Sequence, residues 1–252
     1  MLFRSALSLS DKIDSLVGFF GLNLKPSSSK DPYALRRMAI SLVRLIIEND
    51  RKIKIKDLIN YSFELYKEQG FEFDIKQIQK DLGDFILDRI KNYLKEKQIR
   101  NDIIESASSS FKIDELLKIY KKSQVLNKSI NKEFGQDAVA IYKRSSNILL
   151  SEQKNLEKYS GSADPGLFKN DYEKNLYKKI HEIRKYFSSV GREENLEESL
   201  VILSSSKSQV NDFFDNVVVN DPDDAIKKNR LELLAMLCKS FDNYFNFSKI
   251  EA

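Results

Sequence analysis

The chain has 252 residues, enough for one large or two ordinary domains. A hydrophobic content of 41% with a charged content of 32% is typical of a soluble globular protein, and 8 Gly and 4 Pro are few for a β-rich or disordered chain. The net charge of +4 is mildly basic and does not by itself establish nucleic-acid binding. One cysteine excludes an internal disulfide and fits a reducing cytoplasm. No apolar run of about 18 residues occurs, so we expect no membrane span.

The first predicted helix covers residues 3–16, and an apolar segment broken by Gly18 and Gly21 follows it. Asp11 and Asp14 lie near one another on this helix. Two carboxylates on one helix are either half of a metal site or a solvated pair, and the second interpretation is the simpler one.

A helix start follows the serine-rich turn after this segment. Asp31 is a good N-cap, and Pro32 suits the first helical position because its missing N–H costs nothing there. The helix is predicted over residues 32–49. Arg36 and Arg37 then lie about one turn inside it, where their charges oppose the positive end of the helix dipole. The two arginines therefore indicate an outside anion or a carboxylate partner.

Apolar residues that recur every three or four positions predict most of the remaining chain to be helical. Asp57 is the expected N-cap of the next helix, and Gly70 lies beyond its end. The S-A-S-S-S segment at 106–110 predicts a loop. The predicted helices lie at residues 57–68, 74–97, 101–108, 113–124 and 171–190, and a last one begins after the acidic segment 221–224.

The run A-L-S-L-S-D-K-I-D-S-L-V-G-F-F-G-L-N-L-K-P-S-S-S-K-D-P-Y-A-L-R-R, residues 6–37, resembles a signature of the beta subunit of bacterial glycyl-tRNA synthetases. Ser10 stands where that family usually has Ala, and Ser28 where it usually has Gly. F-I-L-D-R-I-K-N-Y-L at residues 85–94 resembles a second motif of the family. Because the family's beta subunit is much longer than this chain, the chain resembles a C-terminal piece of it.

Motifs in the second half resemble a DALR-type anticodon-binding domain. K-R-S-S-N-I-L at residues 143–149 is similar to the first helix of such domains, and D-P-G-L-F at 164–168 is similar to a turn of the family. F-F-D-N-V-V-V followed by N-R-L-E-L-L, within residues 213–234, is similar to the end of the domain.

The resemblance implies an all-α fold, a multi-helix body followed by a DALR-like anticodon-binding helical bundle. Residues 1–24 are expected to be the last helix of a truncated HD-type domain, residues 25–128 a helical body or linker domain, and residues 129–252 the anticodon-binding domain. Asp14 would be a metal ligand in a complete HD-type domain. Because the partner His-Asp motif of that domain is absent from the chain, an HD-type phosphohydrolase is the weakest functional hypothesis.

The resemblance also implies a cytoplasmic function in protein biosynthesis as part of a glycine–tRNA ligase. The chain is expected to position tRNA-Gly and to contact its anticodon. In this family the alpha subunit forms the adenylate from glycine and ATP, and two alpha and two beta subunits form a heterotetramer. We therefore expect tRNA-Gly and the alpha subunit as partners. We expect no catalytic residue, metal or cofactor in this piece, and no membrane association.

Lysine and arginine side chains would neutralise tRNA phosphates, while polar or aromatic side chains contact unstacked bases. Any of these residues could instead form a structural ion pair. For Arg37 and Arg230 the tRNA contact and the structural ion pair are equally open. Arg36 and Arg37 would find such a partner in Asp11 or Asp14. Candidates for backbone or interdomain contacts are Lys25, Lys30, Arg36 and Arg37, and candidates in the anticodon domain are Lys143, Arg144 and Asn147.

Charge is segregated in the second half of the chain. Residues 121–158 carry eight basic and four acidic side chains, whereas residues 192–224 carry two basic and nine acidic ones. The basic segment is the expected place for tRNA, and the acidic segment is expected to face solvent or a basic partner. A helical protein–protein scaffold without an RNA role would explain the helices and the charge segregation equally well, and acidic side chains that interrupt a basic face would favour it.

The sequence shows no glycine-rich phosphate loop, metal-ligand cluster or nucleophile motif. His181 lies in a charged helix and is expected to face solvent, and Cys238 on the last helix is expected to be core. Tyr172 and Tyr177 recur at helical spacing, which favours core positions over platforms for bases.

Overall fold

The computed structural model describes residues 2–109, 115–152, 159–190, 195–242 and 244–251. Within these residues the chain forms helices, turns and loops without a strand, so the predicted all-α fold is confirmed. None of the described helices combines the length and the apolar character that a membrane span requires. The helices are α1 (Leu2–Gly21), α2 (Leu35–Glu48), α3 (Ile55–Glu68), α4 (Ile75–Glu96), α5 (Asn101–Ser109), α6 (Leu116–Ser129), α7 (Glu133–Glu152), α8 (Asp171–Val190), α9 (Leu196–Ser204), α10 (Lys207–Asn216) and α11 (Asp224–Asp242).

The chain divides into two compact units, Met1–Ser123 and Gln124–Ala252. In the first unit α1 packs against α2, α3 and α4, and α2 also packs against α4. The apolar stripe predicted within 74–97 is the core-facing side of α4, and fully burying one such side chain stabilises the fold by about 1.5–3 kcal/mol. Its buried members are Ile78, Leu82, Ile86, Ile90 and Leu94.

The predicted division into residues 1–24, 25–128 and 129–252 stays a prediction. Helix α1 packs inside the first unit, together with the helices that follow it. Its expected second role, as the last helix of an HD-type domain, stays a prediction as well.

Gly18 lies inside α1 and Gly21 is its last residue, so the predicted end of this helix near residue 16 is wrong. A Cβ atom at Gly18 would overlap the hydroxyl group of Tyr66, and one at Gly21 would overlap the ring of Phe73. The two glycines therefore permit these aromatic side chains to approach α1 closely. At Gly18 this packing outweighs the cost of about 1 kcal/mol that a glycine brings to a helix interior.

The start of α2 differs from the prediction in register. Ala34 has a φ of 55°, a left-handed conformation that separates Asp31 from the helix, which begins at Leu35. Asp31 still caps it, because its carboxylate accepts hydrogen bonds from the backbone N–H groups of Leu35 (2.8 Å) and Arg36 (3.0 Å). Arg36 and Arg37 consequently lie in the first turn of α2 rather than one turn inside it.

Two smaller predictions in the first unit are also wrong. Asp57 is not the N-cap of α3, because the helix begins at Ile55. Asp57 lies in the first turn, where its carboxylate interacts favourably with the positive end of the helix dipole. Residues 106–109 of the predicted loop belong to α5, while residue 110 lies outside the described residues. Residues 106–108 are buried in the first unit, and the hydroxyl group of Ser108 is satisfied within the helix because it donates to Ile104 O at 2.6 Å.

The second unit is built around α11, which packs against α7 and α8. In addition, α9 packs on α7 and α10 on α8. The predicted apolar stripe of α11 is buried, but so are the polar side chains of Asn229, Arg230 and Glu232. Helix α11 is therefore surrounded on most sides, and its buried polar groups need partners from the chain around it.

The D-P-G-L-F motif and the loop before it supply two of these partners. Glu232 accepts hydrogen bonds from the Ser160 hydroxyl (2.8 Å) and the Gly161 N–H (2.6 Å). The side-chain amide of Asn229 accepts from the Asp164 N–H (2.7 Å) and donates to the Asp164 carbonyl (2.9 Å). The motif therefore attaches the segment between α7 and α8 to the central helix.

Candidate nucleic-acid interface

In the first unit, the side chains of Lys25 and Arg36 contact their own scaffold. The Lys25 ammonium contacts the carboxylate of Asp81 on α4. The hydrogen bonds that Gln77 and Lys25 donate to this carboxylate lower the pKa of Asp81. The Arg36 guanidinium donates to the carbonyl group of Ser27. Both cations thereby fix the loop between α1 and α2.

Lys30 and Arg37 expose their side chains on the same loop and the helix after it. The backbone of Lys30 closes a tight turn with Ser27, whose N–H donates to the Lys30 carbonyl at 3.0 Å. Asp14 accepts from Ser62 Oγ at 2.8 Å, and Asp11 is exposed beside Lys12. The structure therefore gives the two aspartates contacts other than the predicted ion pairs with Arg36 and Arg37.

In the second unit, α7 carries the three other candidates. Lys143 is half-buried and Asn147 is exposed, one turn apart on the same side of the helix. The Arg144 guanidinium lies over the ring of Phe214 at 4.3 Å from its centroid and 3.6 Å from the Asp215 carboxylate. Arg144 therefore packs on α10.

The basic and acidic segments of the second half meet each other in this unit. Two ion pairs join them in addition to that of Arg144 with Asp215, so the acidic segment only partly faces solvent. The basic segment of residues 121–158 is accordingly interrupted by carboxylates, within the part of it that the structure describes. The two pairs are Lys132 with Glu197 and Lys207 with Asp137 at 2.7 Å, and Glu152 of the basic segment pairs with Lys227 beyond the acidic segment at 2.7 Å.

Arg230 is a structural residue, which decides between its two predicted roles. Its guanidinium donates to Glu173 Oε1 (2.6 Å), Asp221 Oδ2 (2.6 Å) and the Val218 carbonyl (2.8 Å). The side chains of Arg230 and Glu173 are 6% and 1% exposed. The Arg230 cluster, which we define as Arg230, Glu173 and Asp221, therefore joins α11 to the start of α8 and is closed to a ligand.

Helix α8 presents a surface that sequence reasoning missed. Tyr172 was predicted to point inward but is 39% exposed, whereas His181 faces solvent as predicted. The rings of Tyr177 and His181 meet edge to face with centroids 4.4 Å apart. The signal that would have found this surface is the spacing of its polar residues along one side of the helix. We define the α8 face as Tyr172, Asn175, Tyr177, Lys178, His181, Glu182 and Lys185.

Groups for covalent or metal chemistry are not assembled in the part of the chain that the structure describes. No cluster of three or more His, Cys, Asp or Glu residues there could hold a metal ion. Cys238 is buried as predicted, and burial raises the pKa of its thiol, which keeps it protonated.

Two family models match the chain, and together they cover most of it. The model described as glycyl-tRNA synthetase beta subunit matches residues 2–109. The model described as DALR anticodon binding domain matches residues 138–252. The first match lies in the first unit and the second match lies in the second unit.

Curated relatives agree with both matches. The chain is 36% identical over 246 residues to a "Glycine--tRNA ligase beta subunit" of Rickettsia canadensis, with 97% of this chain and 35% of that protein covered. It is 33% identical over 248 residues to the protein of the same name from Rhodospirillum centenum, with 98% and 34% covered. The chain thus spans about a third of the length of these relatives. It therefore belongs to the glycyl-tRNA synthetase beta subunit family and corresponds to the C-terminal portion, with a DALR anticodon binding domain.

Proposed function

We propose that the chain is the tRNA-binding C-terminal part of a glycine–tRNA ligase, and that it positions tRNA-Gly and contacts its anticodon. The observation that carries this proposal is the match of residues 138–252 to an anticodon binding domain, within a unit that is compact by itself. The exposed basic and aromatic side chains of that unit support it, because cations neutralise phosphates and aromatic rings stack on unpaired bases.

The catalytic steps belong to a partner in this proposal. An alpha subunit forms the adenylate from glycine and ATP and transfers glycine to the tRNA, so this chain holds no cofactor of its own. Two alpha and two beta subunits form the cytoplasmic heterotetramer. Sedimentation of the full beta subunit mixed with the alpha subunit tests this assembly, and two species that sediment independently would contradict it.

The candidate residues fall into two groups under this proposal. Lys30, Arg37, Lys143 and Asn147 are the proposed tRNA contacts, since they lie at exposed or half-exposed positions. By contrast, three candidates are engaged within their own units and would have to exchange these contacts for phosphates. They are Lys25, Arg36 and Arg144.

The experiment is a measurement of affinity at two salt concentrations. The chain is titrated with tRNA-Gly and with the same tRNA carrying a changed anticodon. We expect tRNA-Gly to bind more tightly, and both affinities to fall as salt rises, because each phosphate contact releases counterions. Equal, salt-insensitive binding of the two tRNAs would contradict the proposal.

One observation favours the second candidate function, a helical protein–protein scaffold without an RNA role. The ion pairs of Arg144 with Asp215 and of Lys132 with Glu197 place carboxylates within the basic surface of α7 and its surroundings. Such pairing is what a surface that avoids polyanions would show. The same titration separates the two functions, since a scaffold would bind neither tRNA in a salt-dependent way.

A further inference from the structure

Two adjoining grooves run along the α8 face. The first has a volume of about 250 Å³ and lies between α8 and α10, whereas the second has a volume of about 330 Å³ and lies on α8 itself. They share Lys178 and Glu182, so a ligand of two linked units can occupy both. Helix α10 contributes Gln209 and Asp212 to the first groove.

The second groove offers an aromatic surface between two cations. The rings of Tyr177 and His181 form its floor, and Phe168 supports Tyr177 edge to face at 5.3 Å between centroids. Lys178 and Lys185 are exposed at two ends of this aromatic pair, two helical turns apart. A flat ring with a cation on either side is the arrangement that holds an unstacked base and its flanking phosphates.

The first groove presents carboxylate acceptors beside the ammonium groups of Lys178 and Lys179. The carboxylates of Glu182 and Asp212 line it, and Lys179 pairs with Glu182 at 3.5 Å while Ser208 approaches Asp212 at the same distance. Gln209 lines the groove as well, and its buried Oε1 accepts no hydrogen bond from the residues that the structure describes. The Glu182 and Asp212 carboxylates are exposed, so a ligand with an amino group can donate to them.

These observations select among the bases. Side-chain carboxylates accept from the exocyclic amino group of cytosine, while uracil presents a carbonyl oxygen at the same position and is repelled. Every glycine codon begins with two guanines, so a glycine anticodon ends in two adjacent cytosines. Their linked pair matches two adjoining grooves in number and in hydrogen-bonding character.

We propose that the α8 face, with Gln209 and Asp212 of α10, binds the two unstacked cytosines of the glycine anticodon. This inference rests on the proposed tRNA-binding function. One cytosine stacks on Tyr177 and His181, and the other donates its amino group to the acceptors of the first groove. Lys178 and Lys185 neutralise the phosphates on either side.

The test uses the whole chain and two tRNAs, tRNA-Gly and its variant with uridines in place of the two cytosines. Glu182→Ala/Asp212→Ala removes exposed acceptors, and we expect a preference for cytosine of about tenfold in the unaltered chain to fall to about twofold or less. Lys178→Gln/Lys185→Gln is expected to weaken both complexes about tenfold and to make the salt dependence shallower.

Two further variants isolate the cause. His181→Ala removes an exposed ring and is expected to weaken the tRNA-Gly complex about fivefold, with an unchanged thermal unfolding midpoint. Lys228→Gln/Lys249→Gln removes the same number of positive charges from exposed positions outside both grooves. It is expected to bind like the unaltered chain.

The outcomes separate this inference from the function on which it rests. If the chain binds tRNA-Gly in a salt-dependent way but the α8 variants retain full affinity and the cytosine preference, the assignment to α8 is overturned and the tRNA-binding function stands. If the unaltered chain binds neither tRNA in a salt-dependent way, both are overturned. The assignment would also be overturned if Lys178→Gln/Lys185→Gln lost no more affinity than the control Lys228→Gln/Lys249→Gln.

Discussion

The Arg230 cluster joins α11 to the start of α8, whereas the α8 face lies on α8, and both combine basic and acidic side chains. In the cluster, Arg230 makes three short polar contacts, and its side chain is 6% exposed. On the α8 face, Lys178, His181 and Lys185 are exposed and line grooves. The first arrangement is complete without a ligand, whereas the second leaves room for one.

The difference shows that charge alone does not identify a binding residue. The sequence motif N-R-L-E-L-L contains Arg230 and resembles the family, yet the side chain holds the domain together. The α8 face belongs to none of the motifs from which the family was inferred. Burial and the number of partners separate the two roles, and both become visible only when distant segments are brought together.

The largest effect on the free energy of unfolding is expected when the Arg230 cluster loses its cation. Arg230→Met leaves the Glu173 carboxylate buried without its charged partner, so we expect the free energy of unfolding to fall by about 3–5 kcal/mol. Urea unfolding measures it. The double variant Arg230→Met/Glu173→Gln should regain part of the loss, and a single-variant loss under about 1 kcal/mol would place Arg230 among the replaceable surface cations.

Lys122 is a second buried cation, and its contribution to stability is expected to depend on pH. Burial lowers the pKa of Lys122 to about 7. The unfolded chain keeps this proton up to a pKa of about 10.4, so between pH 7 and pH 10 the unfolded state binds more protons and stability rises with pH. Below pH 7 both states are protonated and this contribution is constant.

Lys122→Met is therefore expected to remove a rise of at most about 1.4 kcal/mol per pH unit in the free energy of unfolding between pH 7 and pH 9. Urea unfolding at several pH values measures this slope. The matched control is Lys121→Met, which changes an exposed neighbour that pairs with Asp50 at 2.6 Å and should leave the slope unaltered. Parallel pH profiles for the unaltered chain and Lys122→Met would contradict the prediction.

The smallest effect is expected at an exposed arginine. Arg144→Gln removes an ion pair with Asp215 and the contact with the Phe214 ring, both near solvent. We expect the free energy of unfolding to fall by less than about 1 kcal/mol. A loss as large as that of Arg230→Met would contradict the distinction between charges buried in the Arg230 cluster and charges near solvent.

Much of the fold was predictable because it depends on local pattern. The apolar repeats gave α4 and α8, and the cap residue of α4, Asp74, receives hydrogen bonds from Lys76 and Gln77 as a cap should. The errors arose where tertiary contacts override local preference. Gly18 and Gly21 are helical because Tyr66 and Phe73 pack on them.

The candidate site was less predictable for the same reason. The side chains of Lys25 and Arg36 looked available in the sequence but contact Asp81 and Ser27 in the structure. Tyr172 looked like a core residue because it lies one turn before the buried Leu176. The first groove also needs residues of α10, and no pattern within α8 could have shown them.

Lysine footprinting of the chain with and without tRNA-Gly tests the central claim most directly, because it reports which cations the RNA covers. Acylation at low salt followed by mass spectrometry compares each lysine in the two states. We predict protection of Lys178 and Lys185, with Lys228 unchanged and Lys239 unchanged because it is held by the carbonyl groups of Tyr159 and Ser160. Saturating tRNA that leaves Lys178 and Lys185 as reactive as in the free chain would contradict the account.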